Sequence, residues 1–133
     1  MLAIDTNVLL YAYSDSDAAK RDRARTVLTA SADGVLLWQV ACEFVAAARK
    51  IAPSVPRTQI WERLGEIRSA FPLVLPTPGV LERAHAIHTS GTHHDWDCLI
   101  FAACIKHGIG TLLSEDVPGA KIAGLEVVNP FAT

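Results

Sequence analysis

Short apolar segments separate longer segments with helical periodicity, and this alternation constrains the fold more than any other feature of the chain. Strands are predicted over residues 2–4, 35–38, 73–75, 111–113 and 126–128. Strands so short and so apolar are typical of a parallel sheet that helices cover on both faces. We therefore expect an α/β fold with a central, short parallel sheet of four to five strands.

The segments between these strands carry apolar residues at the spacing of one helix face. The pattern predicts a helix that begins near Val8 and further helices over residues 17–32, 39–51, 56–71, 80–89 and 95–107. In the helix over 39–51, the stripe that we expect to be buried consists of Val40, Phe44, Ala47 and Ile51.

Length and composition indicate a folded protein of ordinary domain size. Half of the 133 residues are hydrophobic and a fifth are charged, which suits a single domain over residues 1–133. No apolar run approaches the roughly 18 residues that a membrane-spanning helix requires. Asp5 interrupts the apolar N-terminus where a signal peptide would continue. We expect a cytoplasmic protein that does not act at a membrane.

The cysteines do not suggest a disulfide framework. Cys42, Cys98 and Cys104 are odd in number and scattered through apolar helical sequence. They also lack the paired spacing of a zinc site, although His93 and His94 precede Cys98. We expect all three to be buried thiols.

The charge balance does not favour nucleic-acid binding through a strong overall positive field, because the formal net charge is −2. Basic residues nevertheless form two runs, within residues 20–25 and 49–57. A solvated helix face is the plainer interpretation of each run, and contact with phosphates is the alternative.

Four acidic residues occupy positions where a carboxylate needs an explanation. Asp5 follows the first predicted strand directly, and Asp116 follows the fourth by three residues. Ligand sites in open parallel sheets form outside the carboxyl ends of the strands, so both acids can reach one crevice. Glu43 and Asp97 lie on predicted helices, where each borders an apolar face.

A shared divalent cation would explain all four acids. Charged groups beside a core are costly unless they are paired or bind a cation, and these segments offer no obvious basic partner. Oxygen ligands alone suit Mg²⁺ or Mn²⁺, and such a cation supports phosphodiester hydrolysis by activated water. Thr6 and Ser114 add hydroxyls that can fix a carboxylate or a metal-bound water.

Each acid also has a structural alternative. Asp5 could cap the first helix, Asp97 could complement the helix dipole, and Glu43 could pair with a basic residue later in its helix. Asp116 could belong to a turn. We expect Asp95 to be the N-cap of the helix that carries Asp97.

Five motifs in sequence order resemble the PIN-domain ribonucleases. They are Ile4-Asp5-Thr6-Asn7-Val8, a helical Glu43, Asp97-Cys98-Leu99-Ile100, Leu113-Ser114-Glu115-Asp116 and Asn129-Pro130-Phe131. The resemblance covers the whole chain and is greatest to the VapC-type toxins of toxin–antitoxin pairs.

This resemblance implies a single PIN-like domain with metal-binding acids at Asp5, Glu43, Asp97 and Asp116. Thr6 would be an assisting polar residue. Trp96 precedes Asp97 as an aromatic residue precedes the helical aspartate of the family, which favours Asp97 over Asp95 as the ligand.

The resemblance also implies an activity and partners. A VapC-type toxin would be an Mg²⁺- or Mn²⁺-dependent endoribonuclease of a type II toxin–antitoxin system, with structured RNA, either tRNA or rRNA, as its substrate. It would form a homodimer. Its active site would be covered by the C-terminal segment of a cognate antitoxin.

Two other functions remain as alternatives. A phosphatase of the haloacid-dehalogenase type also begins with an aspartate after its first strand, but it needs a second acid where this chain has Asn7. A PIN-like module that binds RNA or protein without cutting is the other alternative. The complete set of four acids argues against it, because such a module has no use for unneutralised carboxylates beneath RNA phosphates.

Overall fold

A computed structural model describes residues 1–91 and 93–132 and contains one five-stranded parallel sheet. The strands are β1 (Leu2–Ile4), β2 (Gly34–Leu37), β3 (Leu73–Val74), β4 (Thr111–Leu113) and β5 (Glu126–Val128). Their order across the sheet is β3-β2-β1-β4-β5, and every pairing is parallel. The predicted α/β fold is therefore confirmed.

Helices connect the strands and form two groups. They are α1 (Thr6–Tyr11), α2 (Ala18–Ala30), α3 (Trp38–Ile51), α4 (Arg57–Ala70), α5 (Pro78–Ser90) and α6 (Asp95–Lys106). Helix α3 contacts α1 and α4, and α1 contacts α2, whereas α5 packs against α6. The chain moves from β1 to β3 in one direction and then crosses β1 to reach β4. Because crossovers between parallel strands are right-handed as a rule, this order puts the two groups of helices on opposite faces of the sheet.

The central strands are largely apolar because both faces of the sheet are covered. All four residues of β2 are buried, and Ile4 and Leu112 are each 1% exposed. At the start of β2, a Cβ on Gly34 would lie 2.8 Å from the ring of Phe71, so this position has no room for a side chain. Close packing at the strand ends fixes where the residues that follow them are placed.

Several helix beginnings, and one N-cap, differ from the sequence prediction. Helix α1 begins at Thr6 because Asp5 is its N-cap, and Trp38 is the first residue of α3 instead of the last of β2. The N-cap of α6 is His94, so the predicted capping role of Asp95 is wrong. Asp95 is the first helical residue, and no side chain caps this helix end by a hydrogen bond.

Two predictions about burial are also wrong. The buried stripe of α3 runs through Val40, Phe44 and Ala48, whereas Ile51 is 70% exposed. Helix α3 therefore turns its last residue away from the core. Cys42 is exposed and only Cys98 and Cys104 are buried.

The basic run at residues 20–25 is more than a solvated helix face. Arg23 donates a hydrogen bond to the carbonyl oxygen of Pro130 at 2.8 Å, and Arg25 donates one to that of Ala12 at 2.8 Å. Lys20 forms an ion pair with Glu115. These contacts attach α2 to the rest of the domain. Within residues 1–91 and 93–132, no helix has both the length and the apolar character needed to cross a membrane.

Candidate active site

The candidate site begins where the ends of β1 and β4 lie side by side. The Asp5 backbone N–H donates a hydrogen bond to the carbonyl oxygen of Leu113 at 2.8 Å, which continues the pairing of these strands by one residue. Beyond it, the buried Ser114 hydroxyl donates to Asp5 Oδ2 at 2.8 Å. The chain leaves β1 towards β2 but returns to β4 on the other side, so this is the switch point of the sheet, where ligand sites form.

Thr6 connects Asp5 to α3. Its backbone N–H donates to Asp5 Oδ1 at 2.7 Å, and its hydroxyl donates to Glu43 Oε2 at 2.8 Å. The Thr6 side chain is 8% exposed, so both contacts are shielded from solvent. Glu43 accepts hydrogen bonds from Thr6 and Gln39 and forms no ion pair with a basic residue later in α3, so that structural alternative is wrong.

Asn7 connects α1 to the segment after β4. Its amide nitrogen lies 3.3 Å from both the Ser114 hydroxyl and Asp116 Oδ2. Its carbonyl oxygen accepts a hydrogen bond from the Glu115 backbone N–H, also at 3.3 Å. The Asp116 N–H in turn donates to Ser114 Oγ at 3.1 Å. These contacts hold Asp116 on the side of the segment that faces α1.

Gln39 connects α3 to the beginning of α6. Its amide nitrogen donates to Glu43 Oε1 at 3.0 Å and to the carbonyl oxygen of Trp96 at 3.2 Å. Asp97 follows Trp96 and lies in the first turn of α6, partly buried. Hydrogen bonds therefore link the segments that carry all four predicted acids.

The acids are close enough to repel one another. Burial raises the pKa of the Asp5 carboxyl, and the charges of Glu43 and Asp97 raise it further, although the hydrogen bonds from Ser114 and Thr6 oppose this shift. Burial and neighbouring negative charge both disfavour the ionised form of a carboxyl group.

Asp97 shows the same effect from the other side of the site. Its pKa is also raised, first by burial and then by the charges of Asp116 and Glu43, while His94 and His93 act in the opposite direction. Among residues 1–91 and 93–132, no Lys or Arg forms an ion pair with any of the four acids. Within the described residues, the four acids therefore lack a Lys or Arg counter-charge.

The chemistry of the donors suits a hard divalent cation, but the side chains do not form a closed set of ligands. The four acids offer only oxygen atoms, as Mg²⁺ or Mn²⁺ prefers. In the part of the chain that the structure describes, no three His, Cys, Asp or Glu side chains lie close enough together to hold a metal ion. Hydrogen bonds engage both oxygens of Asp5 and of Glu43, which keeps these carboxylates turned towards Ser114, Thr6 and Gln39.

Two neighbouring acids lie outside this arrangement. The Glu115 carboxylate pairs with Lys20, which holds its pKa below the ordinary value. The Asp95 side chain is 89% exposed and lies 3.8 Å from the imidazole of His88. Glu115 therefore has a basic partner, whereas none of the four predicted acids pairs with a Lys or Arg among the described residues.

Sequence reasoning did not identify the roles of Asn7 and Gln39. Each forms hydrogen bonds to residues far away in the chain, and such contacts have no local pattern. Two signals were nevertheless present: Asn7 lies two residues after Asp5, and Gln39 lies one helical turn before Glu43.

The comparisons with known proteins agree with this architecture. A toxin–antitoxin complex from Klebsiella pneumoniae is similar over 100% of both chains, at 21% identity and a TM-score of 0.76. VapBC2 from Rickettsia felis, bound to a promoter DNA fragment, is similar over 96% of this chain and 97% of its own, at 16% identity and a TM-score of 0.72.

A third solved structure is VapC20 of Mycobacterium tuberculosis, described as a toxin that cleaves the sarcin-ricin loop. It is similar over 90% of this chain and 91% of its own, at 15% identity and a TM-score of 0.68. At these identities the likeness concerns the fold. No curated protein matches the chain.

The family model of the PIN domain matches residues 2–124. The match includes all four predicted acids and ends just before β5, which pairs with β4 and completes the sheet. The resemblance inferred from the five sequence motifs is thereby confirmed, and the chain belongs to the PIN domain family.

Proposed function

We propose that this protein is an Mg²⁺- or Mn²⁺-dependent endoribonuclease that cuts structured RNA. One observation carries the proposal: Asp5, Glu43, Asp97 and Asp116 come from four separate segments that hydrogen bonds link at the switch point of the sheet, and none of the four pairs with a Lys or Arg among the described residues. Carboxylates that lie close together repel one another and so lower the stability of the folded protein. A bound cation offsets this repulsion, which is why such a group of acids indicates a cation site.

The residues of the chain have distinct parts in this proposal. Asp5 and Glu43 are held in place by Ser114, Thr6 and Gln39, so they form the fixed wall of the site. Asp97 and Asp116 lie nearer the solvent, where they can adjust when a cation binds. A divalent cation bound among these oxygens would supply activated water and neutralise charge on the phosphate.

The biological role that we propose is that of the toxin of a type II toxin–antitoxin system. The support is the fold: the similar structures include a toxin–antitoxin complex and VapBC2, and VapC20 is described as a toxin that cleaves an RNA loop. By that likeness we propose a tRNA or rRNA substrate, a cognate antitoxin whose C-terminal segment covers the acids, and a homodimer. Such a toxin would act in the cytoplasm.

RNA cleavage by the purified protein tests the activity. Total tRNA and rRNA are incubated with the protein in Mg²⁺, in Mn²⁺ and in EDTA, with wild type compared to Asp5→Asn and Asp97→Asn. Asp95→Asn is the matched control, because Asp95 lies in the same helical turn as Asp97 but is exposed and outside the group of acids.

We expect cleavage only with a divalent cation, a loss of at least about a hundredfold in both site variants, and wild-type activity in the control. Cleavage in EDTA, or undiminished cleavage by both site variants, would contradict the proposal. RNA binding without any cleavage in either metal would favour the non-cutting PIN-like module instead. A phosphatase is not favoured, because Asn7 acts as an amide that orients Ser114 and Asp116.

A further inference from the structure

Glu43 and Asp97 reach the group of acids from opposite faces of the sheet. Glu43 lies on α3, which packs with α1 and α4, whereas Asp97 lies on α6, whose main helix partner is α5. A groove of about 470 Å³ lies between the beginning of α3 and one side of α6, so direct packing between these two helices is slight. The separation of the two carboxylates therefore depends on polar contacts.

One hydrogen bond connects the two groups of helices. The Gln39 amide donates to the carbonyl oxygen of Trp96 at 3.2 Å, across 57 positions of the chain. Among the residues that the structure describes, no other hydrogen bond and no ion pair joins α1, α2, α3 or α4 to α5 or α6. Trp96 directly precedes Asp97, so this contact holds the helical turn that carries the Asp97 carboxylate.

The same amide group also holds Glu43. Its nitrogen donates to Glu43 Oε1 at 3.0 Å from one helical turn earlier in α3. A carboxylate oxygen and a peptide carbonyl oxygen only accept hydrogen bonds, and an amide NH₂ group has two protons to donate. The Gln39 nitrogen therefore makes both contacts at once, with one proton for each.

Glutamine suits position 39 better than residues of similar shape. Glutamate would present an oxygen to two acceptors, and asparagine is shorter by one methylene group. Lysine could donate to both oxygens, but its positive charge would oppose a bound cation. The glutamine amide thus joins the two acceptors without changing the charge of the site.

We propose that Gln39 is a positioning residue that sets the separation of Glu43 and Asp97 for a divalent cation. The proposal rests on the proposed function and deepens it, because it assigns part of the cation affinity to a neutral side chain outside the four acids. Gln39 acts through the Glu43 carboxylate and through the turn that carries Asp97. Substitution of a residue that orients a ligand in this way commonly changes metal affinity by about tenfold to a hundredfold.

Calorimetric titration with Mn²⁺ tests the proposal without requiring cleavage. Gln39→Met removes both hydrogen bonds and keeps the length and the neutral charge of the side chain. Gln39→Asn keeps the amide but shortens its reach. Gln59→Met is the matched control, because Gln59 is exposed on α4, which carries none of the four acids. We expect both Gln39 variants to bind Mn²⁺ about tenfold more weakly and the control to bind like wild type.

A double-mutant cycle separates positioning from a general loss of structure. The Mn²⁺ affinity is measured for Glu43→Gln with and without Gln39→Met. Because Gln39 acts partly through the Glu43 carboxylate, Gln39→Met should reduce the affinity less when residue 43 is already glutamine. An equal reduction in both backgrounds would contradict the proposed route through Glu43.

Spectra recorded in EDTA test the connection between the helices directly. In ¹H–¹⁵N spectra, Gln39→Met should shift the backbone amides of residues 96–98, although they lie 57 or more positions away in the chain. Gln59→Met should leave these amides unchanged, and urea unfolding checks that each variant is folded. Unshifted amides in the Gln39 variant would overturn the proposal.

These results are separable from the test of the nuclease. If wild type and Gln39→Met bind Mn²⁺ equally well, only this inference fails. If Mn²⁺ affinity responds as expected but RNA is not cut, the proposed activity fails and the role of Gln39 remains. Failure of wild type to bind Mn²⁺ would overturn both.

If cleavage is intact, excess Mn²⁺ should restore the rate of Gln39→Met, since a weakened site fills at higher cation concentration. A rate that stays low at saturating Mn²⁺ would contradict a role in cation affinity.

Discussion

The Ser114 hydroxyl donates a hydrogen bond to Asp5 Oδ2 at 2.8 Å and thereby joins two residues that are 109 positions apart. Ser114 follows β4 and Asp5 follows β1, and these strands are neighbours only because the sheet reverses its winding direction between them. The same hydroxyl accepts from the Asp116 backbone N–H and lies 3.3 Å from the Asn7 amide. One buried side chain thus orients residues from both strand ends.

The substitution Ser114→Ala should affect both stability and pH dependence. It removes a hydrogen bond that lowers the pKa of Asp5, so the acidic limb of the pH–rate profile should move to higher pH. Loss of the buried hydroxyl should also reduce the free energy of unfolding by about 1–3 kcal/mol. Urea unfolding and RNA cleavage across the pH range measure the two effects. Ser69→Ala, which removes an exposed helical hydroxyl, should change neither.

The substitution Asp5→Asn should stabilise the protein at neutral pH when no divalent cation is present. The pKa of Asp5 in the folded protein is raised, so its contribution to stability is greatest below the ordinary carboxyl pKa and falls as the pH rises through the raised value. Asparagine carries no charge, so the variant does not lose stability as the pH rises. Asparagine is also as good an N-cap as aspartate. Urea unfolding in EDTA, with Asp15→Asn as an exposed control, measures the change. A variant less stable than wild type at pH 7 would show that the carboxylate is not under electrostatic strain.

The substitution Lys20→Met should reduce RNA cleavage more than it reduces stability. Lys20 pairs with Glu115 and donates to the Tyr11 hydroxyl at 3.2 Å, so it holds the segment that continues to Asp116. Arg21→Met is the matched control, because the Arg21 ion pair is with its neighbour Asp22 in the same helix. A severalfold loss of kcat/KM only for the Lys20 variant is expected. Equal activity of the two variants would exclude a role in positioning Asp116.

The three cysteines should differ in reactivity. Burial raises the pKa of the Cys104 thiol to about 12, and burial also raises that of Cys98, whereas Cys42 is exposed. Because the thiolate is the reactive form, iodoacetamide should label only Cys42 in the folded protein and all three thiols in urea. Mass spectrometry of labelled peptides distinguishes these outcomes, and rapid native labelling at Cys104 would contradict the packing of α6.

The sequence patterns located the strands better than the helix ends. β1, β4 and β5 lie where they were predicted, because each is a short apolar run bounded by polar or turn-forming residues. The change from β2 to α3 was misplaced by one residue, since the apolar run continues through Trp38 and the N-cap, Leu37, has no capping side chain. Hydrophobicity alone does not mark such a boundary.

The positions of the four acids followed from sheet topology and helix periodicity, but the contacts that orient them did not. Asn7 bonds to residues 107 and 109 positions away, and Gln39 bonds across 57 positions. No local propensity encodes such pairs, which depend on the packing of complete elements. The roles of the acids in binding a cation stay predictions that a direct measurement must decide.

Calorimetric titration of the protein with Mn²⁺ at neutral pH tests the central claim most directly. The account predicts saturable binding by wild type and by Asp95→Asn, and a loss of about tenfold to a hundredfold in affinity for Asp5→Asn and Asp97→Asn. Failure of wild type to bind Mn²⁺, or binding of equal strength by both site variants, would contradict the claim that these acids together form a cation site.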